Sequence, residues 1–398
     1  MKKLYKTILM ITIFIYGNAT AAISTTAKQA LLVDIDSNAI LYSKNHTQKM
    51  SPSSMSKLMT VYLAFEKLKE NQLQLSDAFI VSQNAWKKEG SRMFLVPNKE
   101  VTVENLLKGI IIQSGNDASI ALAEGIDGNE EDFVTRMNVK AKHLGLKNSN
   151  FVNSTGWPHP NHYMTALDLA ILAQRIIKDY PAYYHYFSET GFTYNKIKQQ
   201  NRNTLIKKNI GVDGLKTGNT DAGGHGIIAS ASKNGKRLIV VINGVGSAQE
   251  REREARKLLQ YGFLNFTNIK LAKANEPIIS SEVWLGDKEK VNLISKEDIT
   301  LSVSTEKRKH VKALLRYDSM MGTPVVKDTK MGTVEILLPD DKRISYDLYA
   351  EHNVKKAGCF KSFAKKIKYW AKSMSFKQPE TTTIVKESKN NNETLIFS

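Results

Sequence analysis

The chain begins with a short apolar run, residues 8–16, preceded by Lys2, Lys3 and Lys6 and broken by Gly17. Ala19-Thr20-Ala21 then supplies the small-x-small pattern of a cleavage site. The run is well short of the ~20 residues that a spanning helix needs, so residues 1–21 are expected to be an export signal. Beyond it, ALLVDI and AILYS, joined by Asp36-Ser37-Asn38, predict a hairpin over 29–44. Pro52 precedes a helical pattern with Met55, Leu58, Met59, Tyr62, Leu63 and Phe65 on or near one face. Helices are also expected over 103–112, 117–126, 130–144 and 166–178. The stretch 150–164, with Gly156, Pro158 and Pro160, reads as loop.

Near Gly226 the texture changes. GIIASAS and RLIVVIN are β-branched, apolar runs separated by Lys233-Asn234-Gly235-Lys236. Asn-Gly between such runs is a strong hairpin signal, because both turn residues must reach positive φ. A helix follows over 251–261. The pattern describes one α+β domain over 22–265, its sheet made from both ends and a helical cluster inserted between. Short strand candidates at 278–284, 291–294, 299–303, 311–317 and 333–338 then predict a smaller all-β domain over 266–353.

The far end differs again. From Lys355 to Lys377 there are eight lysines and no carboxylate, while Phe360, Phe363, Ala364, Ile367, Trp370, Ala371 and Met374 recur at steps of three and four. An apolar stripe opposite a lysine face predicts a helix over 354–377 lying on a membrane surface. Residues 378–398, rich in Thr, Asn, Glu and Lys, read as a disordered polar tail.

Composition sharpens this picture in two places. The 398 residues carry 57 Lys plus Arg against 39 Asp plus Glu, a formal charge of +18. Removing the signal and the lysine-rich helix lowers it to about +7, so the basicity is local, and no nucleic-acid partner is expected. Cys359 is the single cysteine, which excludes an internal disulfide. Export with one cysteine fits a bacterial envelope and a periplasmic location on the outer face of the cytoplasmic membrane.

Candidate chemistry starts at Ser54-Met55-Ser56-Lys57, at the head of the first helix. At i and i+3 a serine and a lysine share a helical face, about 5–6 Å apart at Cβ. A serine hydroxyl needs a base, and a lysine serves only if burial or neighbouring cations lower its pKa. The same spacing recurs at Ser230/Lys233, Ser304/Lys307 and Ser362/Lys365, all in unsuitable contexts. Two further pieces give the pair meaning. Ser114-Gly115-Asn116 lies between two helices, where a hydroxyl and an amide can relay a proton and orient a substrate amide. Lys216-Thr217-Gly218 precedes the hairpin strands, where an edge strand can hold a carboxylate and leave room for an extended peptide.

In this order the three motifs resemble the signature of serine penicillin-recognising enzymes. The chain is most similar to the low-molecular-mass penicillin-binding proteins of the D-alanyl-D-alanine carboxypeptidase group. GSRMFL at 90–95, IIIQSGNDASIALAE at 110–124, HYMTALDLA at 162–170, Asn201-Arg202-Asn203 and VDGLKTG at 212–218 carry the likeness. The resemblance implies a β-lactamase/penicillin-binding-protein-like catalytic domain, a trailing β domain and an amphipathic anchor. It implies Ser54 as nucleophile and Lys57 as its base. Ser114 and Lys216 would return a proton to the leaving D-alanine, and Asn116 would bind the peptide amide. Thr217, Gly218 and, by family position, Arg251 would complete the substrate site. The oxyanion hole would use the backbone N–H of Ser54 and one at residue 219 or 220. Peptidoglycan stem peptides would be substrates and β-lactams acylating inhibitors, with no metal or cofactor. An Asp168–Arg202 ion pair supporting the site is also suggested.

Other patterns read blandly. His159-Pro160-Asn161-His162 is taken as a surface loop, and GHGIIA at 224–229 precedes a strand rather than opening a helix. No Gly-x-Ser-x-Gly elbow is present. Two alternatives stay open on the same scaffold: a β-lactamase or DD-endopeptidase, and a catalytically idle wall-binding protein. Ser51-Pro52-Ser53 before the nucleophile and Asn219 after the Lys-Thr-Gly triplet depart mildly from the family pattern.

Overall fold

The computed structural model describes residues 23–338 and 343–358, with Ser362, Phe363 and Ile367. The expected export signal, the expected polar tail and most of the lysine-rich segment lie outside the described residues. The first strands are β1 (Gln29–Asp34) and β2 (Ala39–Lys44), an antiparallel hairpin where the alternation predicts one. A 3-10 turn, Ser53–Ser56, leads into α1 (Lys57–Lys69). The helical cluster continues with α2 (Asn116–Asp127), α3 (Glu130–His143) and α4 (Ala166–Asp179). Then come β3 (Val212–Thr220), β4 (Gly224–Lys233), β5 (Lys236–Val245) and α5 (Ala248–Asn265).

These strands form one antiparallel sheet in the order β2-β1-β5-β4-β3. The β4–β5 turn places Asn234 at φ 53° and Gly235 at φ 72°, the two positive values that its Asn-Gly sequence provides. Both faces of the central strands are covered, which explains the apolar runs IIASA in β4 and LIVVI in β5. Leu215, Ile228 and Val241 face the helical cluster, while Ile227, Ala229 and Val240 pack toward α5. The strand β3 is the sheet edge next to the Ser53–Ser56 turn.

Two helical expectations need correction. Helix α1 is not one-faced: all nine residues from Lys57 to Phe65 are buried, because it runs through the middle of the cluster and has no solvent side. The helix expected over 103–112 is α-helical only over Val103–Lys108, then widens into a π turn, Gly109–Gln113. That turn ends in Ser114 at φ 67°, and Gly115 N–H closes back on the Gly109 carbonyl.

The second unit has its own apolar core, including Val291, Leu293, Leu301, Val334, Ile336 and Leu348. Its six-stranded sheet faces the pair Phe266–Ala272 and Ile299–Ser304. Strands Phe266–Ala272, Met320–Gly322 and Arg343–Ala350 were not among the sequence candidates. Val354 bridges Val325 and Lys356 bridges Gly286, so these residues belong to the β unit rather than to a helix starting at 354. Phe363 and Ile367, described as helical, are 68% and 52% exposed.

Candidate active site

The 3-10 turn at the head of α1 sets Ser54 half-exposed and Lys57 fully buried. Lys57 Nζ lies 3.0 Å from Ser54 Oγ and donates to Asn116 Oδ1 at 2.7 Å and to the Thr155 carbonyl. Burial, reinforced by the positive field of Arg202, lowers its pKa from 10.5 to about 7, against the opposing field of Asp117. Near neutrality a large fraction of this amine is therefore uncharged and able to accept a proton.

The π turn delivers the second motif. Ser114, in the left-handed conformation, is buried, and its Oγ has no protein partner. Asn116 ties three segments together: Oδ1 receives Lys57, Nδ2 donates to the Glu89 carbonyl at 2.7 Å, and its N–H donates to the Ser91 carbonyl. Asp117 holds the adjoining loop by accepting the N–H groups of Met93, Phe94 and Leu95.

The third motif lies on β3. Lys216 is 1% exposed, and the hydrogen bond it makes goes to the Thr217 carbonyl at 3.2 Å. Burial, then the fields of Lys57, Arg202 and Arg251, push its pKa well below the usual lysine range. At Gly218 the strand passes close to the turn bearing Ser54: a Cβ there would stand 3.0 Å from the Pro52 carbonyl oxygen. Arg251, near the start of α5, is buried; its Nε has no partner and its Nη2 donates to the Arg202 carbonyl.

Two adjoining cavities meet at Ser54. One, about 380 Å³, is lined by Ser114, Thr217, Gly218, Arg202 and Arg251. The other, about 320 Å³, is lined by Asn116, Gly156, Trp157 and Asp221. An extended peptide can thus lie across the hydroxyl with a cationic pocket on one side. The structure brings Ser54, Lys57 and Asn116 within hydrogen-bonding distance and places Ser114, Thr217, Gly218 and Arg251 on the same cavity as Ser54. Lys216 is buried behind its wall.

Two sequence expectations fail here. Asp168 does not pair with Arg202; it accepts from Asn148 N–H and Ser149 Oγ–H at the start of α4, while Arg202 Nε donates to the Gln113 carbonyl. Arg202 instead faces the cavity. His162 is not a surface residue but 3% exposed, edge-on to Phe151 and accepting Val152 N–H. Burial holds its pKa at about 4. Among the described residues no group of three or more His, Cys, Asp or Glu is placed to hold a metal. Sequence reasoning also missed Thr155 and Trp157, whose roles depend on a loop without a chemical motif.

A buried amine against a serine hydroxyl, with a cationic pocket beside an edge strand, defines a serine acyl-transfer enzyme. The chain belongs to the D-alanyl-D-alanine carboxypeptidase family, which matches residues 17–246, and carries the C-terminal domain of penicillin-binding protein 5 over 266–356. It is 40% identical to D-alanyl-D-alanine carboxypeptidase DacA of Haemophilus influenzae over 84% of this chain and 87% of the relative. It is 36% identical to DacC of Escherichia coli, over 88% and 89% of the two chains. The crystal structure of penicillin binding protein 5 from Haemophilus influenzae superposes with a TM-score of 0.79 at 40% identity, covering 83% of this chain and 98% of that one. The chain is therefore a low-molecular-mass penicillin-binding protein, a serine-type D-Ala-D-Ala carboxypeptidase acting in cell-wall metabolism.

Proposed function

We propose that Ser54 attacks the carbonyl between the two terminal D-alanines of a peptidoglycan stem pentapeptide, passing its proton to Lys57. The observation that carries this assignment is Lys57 Nζ at 3.0 Å from Ser54 Oγ in a fully buried setting that lowers its pKa to about 7. The Ser54–carbonyl bond forms as the carbonyl becomes an oxyanion, which the backbone N–H of Ser54 and that of Asn219 or Thr220 stabilise. Collapse breaks the peptide bond, and a proton relayed through Ser114 and Lys216 leaves on the D-alanine amine. Asn116 orients the peptide amide. Thr217 and Arg251 hold the terminal carboxylate, Arg202 adds positive field, and Gly218 leaves room for the peptide. Water then hydrolyses the ester on Ser54. A penicillin would acylate the same oxygen, and mass spectrometry after penicillin treatment should find the adduct on the peptide containing Ser54. Release of D-alanine from diacetyl-Lys-D-Ala-D-Ala should vanish in Ser54→Ala; retained activity would reject Ser54 as nucleophile.

The protein is further read as exported and held on the outer face of the cytoplasmic membrane by the segment after residue 358. Six lysines between residues 359 and 377, opposite an apolar stripe, support this reading, as does the exposure of Phe363 and Ile367. The full chain should sediment with vesicles containing anionic lipid and lose that binding when truncated after Gly358. Equal binding by both forms would reject it.

A further inference from the structure

Three buried polar atoms of residues lining the larger cavity lack a protein partner: Ser114 Oγ, Arg251 Nε and His225 Nδ1. The first two belong to residues already given roles. His225 belongs to none of the three motifs. It stands in β4, opposite Asn219 of β3 on one side and Val245 of β5 on the other. It shares the cavity wall with Thr217 and Arg251. Burial, then the field of Arg251, lowers its pKa, so at neutral pH the ring is uncharged and carries one N–H. An enclosed N–H without an acceptor is rarer than an enclosed lone pair. With the proton on Nε2 the enclosed Nδ1 keeps only an unmet lone pair, and Nε2–H is left to donate.

The charged side chains that line this cavity all have one sign, Arg251 from α5 and Arg202 from the loop beyond Gln200, and Lys216 of β3 lies in the field of both. No acidic residue is among those lining the cavity. A fourth cation there would further depress Lys57 and Lys216, whereas a neutral donor adds a hydrogen bond without adding charge.

We infer that His225 is a specificity-determining residue whose Nε2–H donates to the carboxylate of the departing D-amino acid, beside Thr217 and Arg251. The inference rests on the reading of this cavity as the leaving-group pocket. It makes the enzyme selective for peptides ending in a free carboxylate.

The test compares wild type, His225→Phe and His225→Gln on diacetyl-Lys-D-Ala-D-Ala and on its C-terminal amide, with melting temperatures as a fold control. In the phenylalanine variant the kcat/KM ratio of acid over amide should fall about tenfold, mostly through KM for the acid. Glutamine, whose side-chain amide can donate, should keep most of the ratio. If the phenylalanine variant does not fold, His225→Ala is read in the same way. An unaltered ratio in an active, folded variant, or equal losses on both substrates, overturns the inference alone. A wild type that releases no D-alanine overturns the reading of the site, and the inference with it.

Discussion

Asp117 Oδ2 accepts the backbone N–H of Phe94 at 3.0 Å, and the same carboxylate takes the N–H groups of Met93 and Leu95. One buried side chain next to Asn116 therefore fixes the loop whose residues Gly90 and Ser91 line the substrate cleft. In Asp117→Ala these three N–H groups and that of Ala118 lose their acceptor, at about 1–3 kcal/mol for each one left buried and unpaired. Chemical denaturation should show a loss of at least ~2 kcal/mol, and penicillin acylation should slow as the loop loosens. A variant as stable as wild type would show that the loop is held by other contacts.

Gly218 marks the close approach of β3 to the turn bearing Ser54. A Cβ there would stand 3.0 Å from the Pro52 carbonyl oxygen and from Ser53 Cβ, and 3.1 Å from Met55 Cγ. In Gly218→Ala the edge strand must move by a few tenths of an ångström, and in Gly218→Val by more. Small misplacements at a reacting centre are costly to rate. Penicillin acylation should slow about tenfold in the alanine variant and further in valine, with a change in melting temperature of only a few degrees. Full acylation rates in the valine variant would argue against the tight approach.

The proposed role of Lys57 carries a pH dependence with a defined sign. In that mechanism the active form is the uncharged amine, so kcat/KM should rise with pH along a limb with an apparent pKa near 7. The same shift acts on stability. Between pH 7 and 10.5 the unfolded chain binds more protons at this side chain than the folded one, so its contribution to stability rises with pH across that window. Below pH 7 the buried ammonium is carried at full cost, on the order of several kcal/mol. Lys57→Met should therefore abolish D-alanine release and raise the stability measured at pH 7. A variant of unchanged or lower stability would show that the Asn116 and Thr155 bonds offset the burial.

His162 works in the opposite range. Its imidazole is kept neutral, with a pKa of about 4 against an ordinary 6.5. As pH falls from about 6.5 to 4 the unfolded chain takes up the proton first, and folded stability drops by about 3 kcal/mol. His162→Gln keeps an acceptor for Val152 N–H but has nothing to titrate. Its denaturation midpoint should fall less steeply over that interval than that of wild type, and parallel curves would count against a buried neutral ring.

Local chemistry made part of this molecule legible from its sequence. Asn234-Gly235 fixed a hairpin because only certain residues tolerate its backbone, and the apolar alternation of 29–44 marked another. Other features depended on surroundings that a sequence does not display. The pattern of α1 suggested one buried face, yet a helix threaded through a cluster buries even Thr60 and Lys57. Asp168 and Arg202 carry opposite charges, but each found nearer partners, the carboxylate beside the start of its own helix and the guanidinium on a main-chain carbonyl. Strand Phe266–Ala272 carries Thr, Asn and Lys among its apolar residues, and only its docking on Ile299–Ser304 makes it a strand. His225 had no signal at all, since its neighbours come from β3 and α5.

The pairing of β1 with β5 also bears on when this enzyme can exist. Gln29 meets Asn243, and Asp34 meets Leu238, so the first strand to leave the ribosome waits for a partner made about two hundred residues later. Such distant pairings form slowly. Until β5 has been made the sheet cannot be completed, and the wall that β3 gives to the turn bearing Ser54 waits on it.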